Sequence, residues 1–254
     1  MIVPTYNEGD NIRPLCERLC ESCKVAGITV ELLVMDDESE GSLKTRKIVT
    51  ELAKEKYPIR MHLRTKAEGR GLSSAVLLGF KKAKFETILC MDADLQHEPE
   101  SVPSLALPIL NKTAEFTVGS RYCDGGAFGF DWAIHRKLIS SAATALAWGV
   151  SKSTDPMSGF FCTTKGVIAR GRDKINPIGF KIGLELMARC RADPVQDVPI
   201  TFQNRLAGES KLSMEQNFLY VQQLLSLYWG QYMGIMTLLV IVLVYAVFRG
   251  LSLA

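Results

Sequence analysis

Short apolar, β-branched runs alternate with longer helix-patterned stretches down the first half of this chain, and this alternation restricts the fold more than any other feature. Residues 30–35, 59–63, 87–91 and 116–118 read as strands. Between them, residues 12–26, 43–57, 72–83 and 102–110 carry apolar side chains three and four apart, the spacing of one helix face. Strict alternation implies right-handed crossovers, hence an α/β fold with a mostly parallel, doubly wound sheet. Ligands of such a sheet gather beyond the carboxyl ends of its strands. Either the first strand is very short or further residues precede Met1, since the chain opens at Ile2-Val3 and Pro4 reads as already in the loop.

A helical stretch over 133–150 and further strand and helix pieces up to 202 continue the domain without a linker, so residues 1–211 are read as one catalytic domain. Thirty basic against 27 acidic residues give a net charge of +3, too little for a nucleic-acid binder. The seven cysteines show no repeated spacing. Cys16, Cys20 and Cys23 fall on one helix face, where free thiols act as small hydrophobes, and a reducing, cytosol-facing domain is expected. Residues 212–228 are amphipathic, with Phe218, Leu219, Gln222, Leu225 and Trp229 on one face, as in a helix lying on a membrane surface. No charged residue occurs from 216 to 248, and the run 229–248 is long enough as a helix to span about 30 Å. Residues 229–254 are therefore expected to be a transmembrane anchor, and a cut after Gln216 to release a soluble domain.

The sharpest chemical signal is Cys90-Met91-Asp92-Ala93-Asp94-Leu95-Gln96, an apolar strand ending in two carboxylates and an amide at alternate positions. Alternate residues leaving a strand point the same way, so Asp92, Asp94 and Gln96 can offer oxygens to one divalent cation, Mg²⁺ or Mn²⁺. An Asp-rich turn is the alternative. A second acidic pair, Asp36-Asp37, ends the strand 30–35 and suits a base or ribose hydroxyl. No G-x-G-x-x-G follows the first strand, which argues against a nicotinamide or flavin enzyme. Gly69-Arg70-Gly71 opens a helix as a weak phosphate-loop candidate. Arg121, Arg136 with Lys137, and Arg205 with Lys211 are candidate phosphate holders, each equally readable as a solvated surface cation. His97 follows the metal-candidate loop and reads either as a supporting neighbour of it or as incidental, since a reaction whose acceptor is already ionised needs no general base.

In order, the segments VPTYNE (3–8), Asp36-Asp37, RGLSSAVL (70–77), CMDADLQH (90–97), GSRY (119–122), STDPMSGFF (153–161), GFKIGLEL (179–186) and GESKLS (208–213) resemble the dolichol-phosphate mannosyltransferases, GT-A-fold members of glycosyltransferase family 2. The likeness covers nearly the whole chain and is closest to the fungal type with its own C-terminal membrane helix. It departs at Glu38, where relatives usually have a small residue.

This resemblance implies a Rossmann-like GT-A sheet and transfer of mannose from GDP-mannose to dolichyl phosphate. Pro4, Tyr6, Glu8 and Asp36 would hold the nucleoside. Asp92, Ala93, Asp94, Arg205 and Lys211 would hold the rest of the nucleotide sugar, with Asp92, Asp94 and Gln96 on the metal. Arg121, Arg136 and Ser158 would bind the acceptor phosphate, and Asp94, Arg121 and Arg136 would carry catalysis. A UDP-sugar transferase acting on a polyprenyl phosphate is the enzymatic alternative, and an inactive sugar-nucleotide sensor the non-enzymatic one. The expected partners are the two substrates and membrane lipid, without nucleic acid or an obligate protein subunit. The expected location is the endoplasmic reticulum membrane, with the catalytic domain facing the cytosol.

Overall fold

The computed structural model describes the backbone of residues 1–129, 134–204 and 214–251, and side chains over 1–129, 140–204 and 215–233. The alternation appears as β1 (Ile2–Thr5), α1 (Gly9–Val25), β2 (Leu32–Asp36), α2 (Ser42–Lys54), β3 (Ile59–Leu63), α3 (Leu72–Lys82), β4 (Thr87–Cys90), α4 (Val102–Leu110) and β5 (Phe116–Ser120). There follow β6 (Ala127–Phe128), α5 (Ile134–Ala147), β7 (Phe161–Thr164), α6 (Lys165–Gly171), α7 (Ile182–Arg189), β8 (Val195–Pro199), β9 (Thr201–Phe202) and α8 (Met214–Leu251).

The seven-stranded sheet has the order β3-β2-β1-β4-β7-β5-β8. It is parallel except at β7, which runs antiparallel to both β4 and β5. The period of two along the strands divides the core into two layers. Val3, Leu32, Val34, Leu89 and Met91 pack with α1, α2 and α4 on one face. Ile2, Leu33, Met35, Ile88 and Cys90 pack on the other with α3, α7 and the start of α8. All seven cysteines are free, and Cys16 and Cys23 are buried on the inner face of α1.

Two expectations are corrected. Pro4 lies inside β1, opposite Met35 of β2, rather than in the loop. A central strand tolerates it because Ile2 and Pro4 face β4, and pairing with β4 ends at Ile2, so the missing N–H falls beyond the ladder. The stretch 212–228 is also more than a surface helix. Its predicted outward face is exposed, with Phe218 at 71%, Leu225 at 66% and Trp229 at 69%, but on the opposite face Gln223, Leu224 and Leu227 are buried. This part of α8 is therefore core, and a cut after Gln216 would open it. Among the described residues no helix is long and apolar enough to cross a membrane. The run predicted to cross lies mostly within 234–250, outside the described side chains.

Candidate active site

The ends of β1, β2, β4, β5 and β8 and the start of β7 meet at one edge of the sheet, and the predicted motifs lie there. On the nucleoside side, Asp36 is fully buried. Its Oδ2 accepts from Thr5 Oγ1 at 2.9 Å, and its Oδ1 accepts from the Glu38 N–H at 3.0 Å and from the Ser42 hydroxyl. Asp36 thus ties the loops after β1 and β2 together, while Tyr6, 48% exposed, faces outward. Glu8 accepts from Asn11 Nδ2 at the start of α1.

Asp37 binds Arg64, a residue the sequence reading passed over. Arg64 is 1% exposed, pairs with Asp37 and donates to Ser74 Oγ at 2.6 Å. Asp37 Oδ2 also accepts from the Gly71 N–H at 2.7 Å. Gly71 sits at φ +91°, a conformation costly for any residue with a Cβ. The 69–74 loop is thereby latched to the end of β2. At its rim, Arg70 pairs with Glu38 at 2.7 Å, which gives the departure at position 38 a definite partner.

Asp92 and Asp94 leave β4 as predicted. Asp94 is 7% exposed and accepts from the Gln96 N–H at 3.1 Å, closing a turn in which Leu95 takes φ +59°. Gln96 Nε2 donates to the Gln203 carbonyl at 3.2 Å, so the oxygen a cation would need is the other end of the amide. A Cβ on Gly159 would stand 3.1 Å from Asp92 Oδ2, so the glycine of DPMSGFF makes room for that carboxylate. Two carboxylates and an amide oxygen are hard-oxygen donors of the kind that Mg²⁺ or Mn²⁺ takes.

His97 is buried between Phe160 and Phe202, with ring centroids at 5.2 and 5.1 Å. Burial pushes its pKa down to about 4, which leaves it neutral at physiological pH. Lys181, also missed, donates to the Met157 carbonyl at 3.0 Å. Burial and then the charge of Arg121 pull its pKa below the usual lysine range, while Asp92 and Asp155 oppose the shift. Lys181 is thus tied to the 153–159 loop, which also carries Asp155 and Gly159.

Asp155 is half of a buried ion pair. Arg121 donates through Nε and Nη2 to Asp155 at 2.7 and 2.8 Å, and its backbone N–H adds a bond at 3.1 Å. Its guanidinium lies 5.1 to 5.7 Å from the rings of Phe202, Tyr122 and Phe128. The predicted fork of Arg121 thus grips a carboxylate. Ser158 is buried, and its hydroxyl accepts from the Phe160 N–H at 3.2 Å within its own turn. Asp197 fastens the same loop by accepting from the Thr154 N–H at 2.8 Å and from Ser153 Oγ. Beside it, a cavity of about 400 Å³ is lined by Tyr122, Ser141, Thr144, Trp148 and Thr154. The side chain of Arg136 lies outside the described residues, as do Arg205 and Lys211 altogether; Gln203, two residues before Arg205, donates its N–H to the Gln96 carbonyl at 2.8 Å.

Residues 1–168 match the glycosyl transferase family 2 profile. The dolichol-phosphate mannosyltransferase of Mycosarcoma maydis is 41% identical, over 98% of this chain and 85% of that protein. That of Saccharomyces cerevisiae is 43% identical, over 90% of this chain and 86% of its own length. Among solved structures, mannosyl-3-phosphoglycerate synthase from Rubrobacter xylanophilus superposes with a TM-score of 0.61 at 13% identity, covering 91% of this chain and 72% of that one. Glucosyl-3-phosphoglycerate synthase from Mycobacterium tuberculosis, solved with Mn²⁺, UDP and glucosyl-3-phosphoglycerate, gives 0.59 at 18% identity, covering 89% and 77%. At these identities the two structures establish a shared fold. Identity to the curated relatives over nearly their full length goes further: this chain belongs to the dolichol-phosphate mannosyltransferases of glycosyl transferase family 2.

Proposed function

We propose that the chain transfers mannose from GDP-mannose to dolichyl phosphate with inversion at the anomeric carbon, giving β-linked dolichyl phosphate mannose. The observation that carries this reading is the hard-oxygen set Asp92, Asp94 and Gln96 standing near Lys181 and the Arg121–Asp155 pair at one sheet edge. A divalent cation bound there supplies charge neutralisation for the leaving diphosphate. The protein's part is positioning and electrostatics. Tyr6, 48% exposed, is assigned to the base, and Pro4, Glu8 and the buried Asp36 shape the loops around the nucleoside. Ala93 stands between the two carboxylates with its side chain 3% exposed and packed in the core, so its backbone is the part that would meet the donor diphosphate. Arg205 and Lys211 are assigned to the donor, a role supported by the bond from Gln203 to the metal loop.

The acceptor phosphate is anionic at neutral pH, so it attacks without a general base once aligned behind the leaving group. Arg121 adds positive charge at this point while Asp155 holds it in place. Arg136, on α5, and Ser158, in the adjoining loop, complete the acceptor side. The cavity bordered by Tyr122, Thr144 and Trp148 suits the first isoprene units, because it leads from the Arg121 loop to the 68%-exposed Trp148. Tyr228 and Tyr232 of α8 donate to the Leu146 and Gly149 carbonyls, joining the end of α5 to the exposed Phe218, Leu225 and Trp229 stripe. Such a surface suits the cytosolic leaflet of the endoplasmic reticulum, with the C-terminal part of α8 as anchor. Incubation with radiolabelled GDP-mannose and dolichyl phosphate tests the proposal, and competition by unlabelled GDP against UDP separates it from a UDP-sugar transferase.

A further inference from the structure

The catalytic loops occupy the edge where β1, β2 and β4 end. At the opposite edge, where β5 and β8 begin, an open cavity of about 230 Å³ is lined by Arg170, Lys174, Arg189, Cys190 and Arg191. Four cations in one small cavity repel one another unless something offsets them. Two are offset within the protein. Arg170 pairs with Glu115, and Arg189 pairs with Glu185 at 3.1 Å while donating to Ser226 Oγ of α8 at 2.6 Å. Lys174 and Arg191 are exposed, and neither has an ion-pair partner among the described residues. Arg191 is moreover held at φ +50°, a conformation uncommon for a residue with a long side chain.

The position of the cavity says what would fill it. Ser226 and Gly230, one turn apart on α8, face Arg189, and the absence of a Cβ at Gly230 lets the guanidinium lie against the helix. The exposed stripe of Phe218, Leu225 and Trp229 runs along a neighbouring face of the same helix. Apolar side chains on one face with basic groups on its flank match the depth profile of a membrane interface, acyl chains below and headgroup phosphates beside. We propose that this cavity binds the phosphorylated headgroup of an anionic membrane phospholipid, as a site separate from the catalytic edge. Lys174 and Arg191 supply the unmatched charge, and Arg170 and Arg189 frame the opening. The proposal rests on the reading that the exposed face of α8 meets the membrane.

The test uses the full chain in neutral-detergent mixed micelles containing either phosphatidylcholine alone or phosphatidylcholine with phosphatidylinositol, with binding read by thermal shift across a lipid titration. The variant is Lys174→Gln with Arg191→Asn, which removes both unmatched charges, spares the two framing pairs and suits the left-handed backbone at 191. Phosphatidylinositol should stabilise the wild-type chain, and the double variant should need about thirtyfold more of it, the product of two single-charge losses at an anionic surface. Equal response of the two proteins would overturn the site. So would an equal, variant-sensitive shift with inorganic phosphate alone, which would mark a free-phosphate pocket instead. Mannosyl transfer to a short, soluble prenyl phosphate in neutral detergent should be the same in both proteins; its absence from the wild type would count against the proposed function and leave the lipid result to be judged by itself.

Discussion

Replacing Asp155 with alanine tests a fully buried charge in the site. The side chains of Arg121 and Asp155 are 8% and 0% exposed, and among the described residues the carboxylate accepts three hydrogen bonds from Arg121. Removing one partner of such a pair leaves a buried charge uncompensated, at a cost of about 3–5 kcal/mol. In a domain of this size each kcal/mol moves the melting midpoint by about 2–4 °C, so a loss of about 6–20 °C is expected. Urea titration should show a lower midpoint with an unchanged slope, since the native surface is otherwise kept. Replacing both partners, Arg121→Met with Asp155→Leu, should restore most of the stability while leaving transfer impaired, because the charge would be gone from the acceptor side. If Asp155→Ala costs less than about 1 kcal/mol, the range of solvent-screened pairs, then Arg121 does not depend on Asp155 and the argument that it is held in place fails.

Three further outcomes follow from the same geometry. Asp94→Ala should reduce transfer by well over tenfold, about 1.4 kcal/mol of barrier, and excess chelator should silence the wild type; full activity in chelator would remove the metal from the account. Gly159→Ala crowds Asp92 and should weaken Mn²⁺ binding by about tenfold with little change in melting temperature, so unchanged affinity in a metal titration would show that this glycine does not set the carboxylate. A cut after Gln216 removes the buried Leu224 and Leu227, worth about 2–5 kcal/mol each, and should yield unfolded or aggregated protein by circular dichroism. A cut after Met233 keeps both leucines and should fold.

Strand and helix alternation was legible because period two and period three-to-four repeats fall on separate stretches of the chain, and they located nearly every element up to β5. The antiparallel insertion of β7 was not, since Phe161–Thr164 looks like any other short apolar strand and nothing local states its direction. At the site, Asp92, Asp94 and Gln96 were legible as oxygen donors at alternate positions after an apolar run, and they lie in the loop just beyond β4. Arg64 and Asp155 could not. A buried arginine is indistinguishable in sequence from a solvated one, and their partners lie 27 and 34 positions away. The one available hint was Arg64 directly after the apolar strand 59–63, where a surface cation is less expected. Amphipathicity in α8 was visible, but assigning the helix to the membrane surface hid the core contacts of Leu224 and Leu227 on its other side.

The central claim is the transfer itself. The direct measurement incubates the purified full chain with radiolabelled GDP-mannose, dolichyl phosphate and Mg²⁺ or Mn²⁺, then extracts the lipid and assigns the anomeric configuration by NMR. The account predicts metal-dependent formation of β-linked dolichyl phosphate mannose, suppressed by GDP and not by UDP. An α-linked product, undiminished transfer in chelator, or a sugar taken from a UDP donor in preference would contradict it.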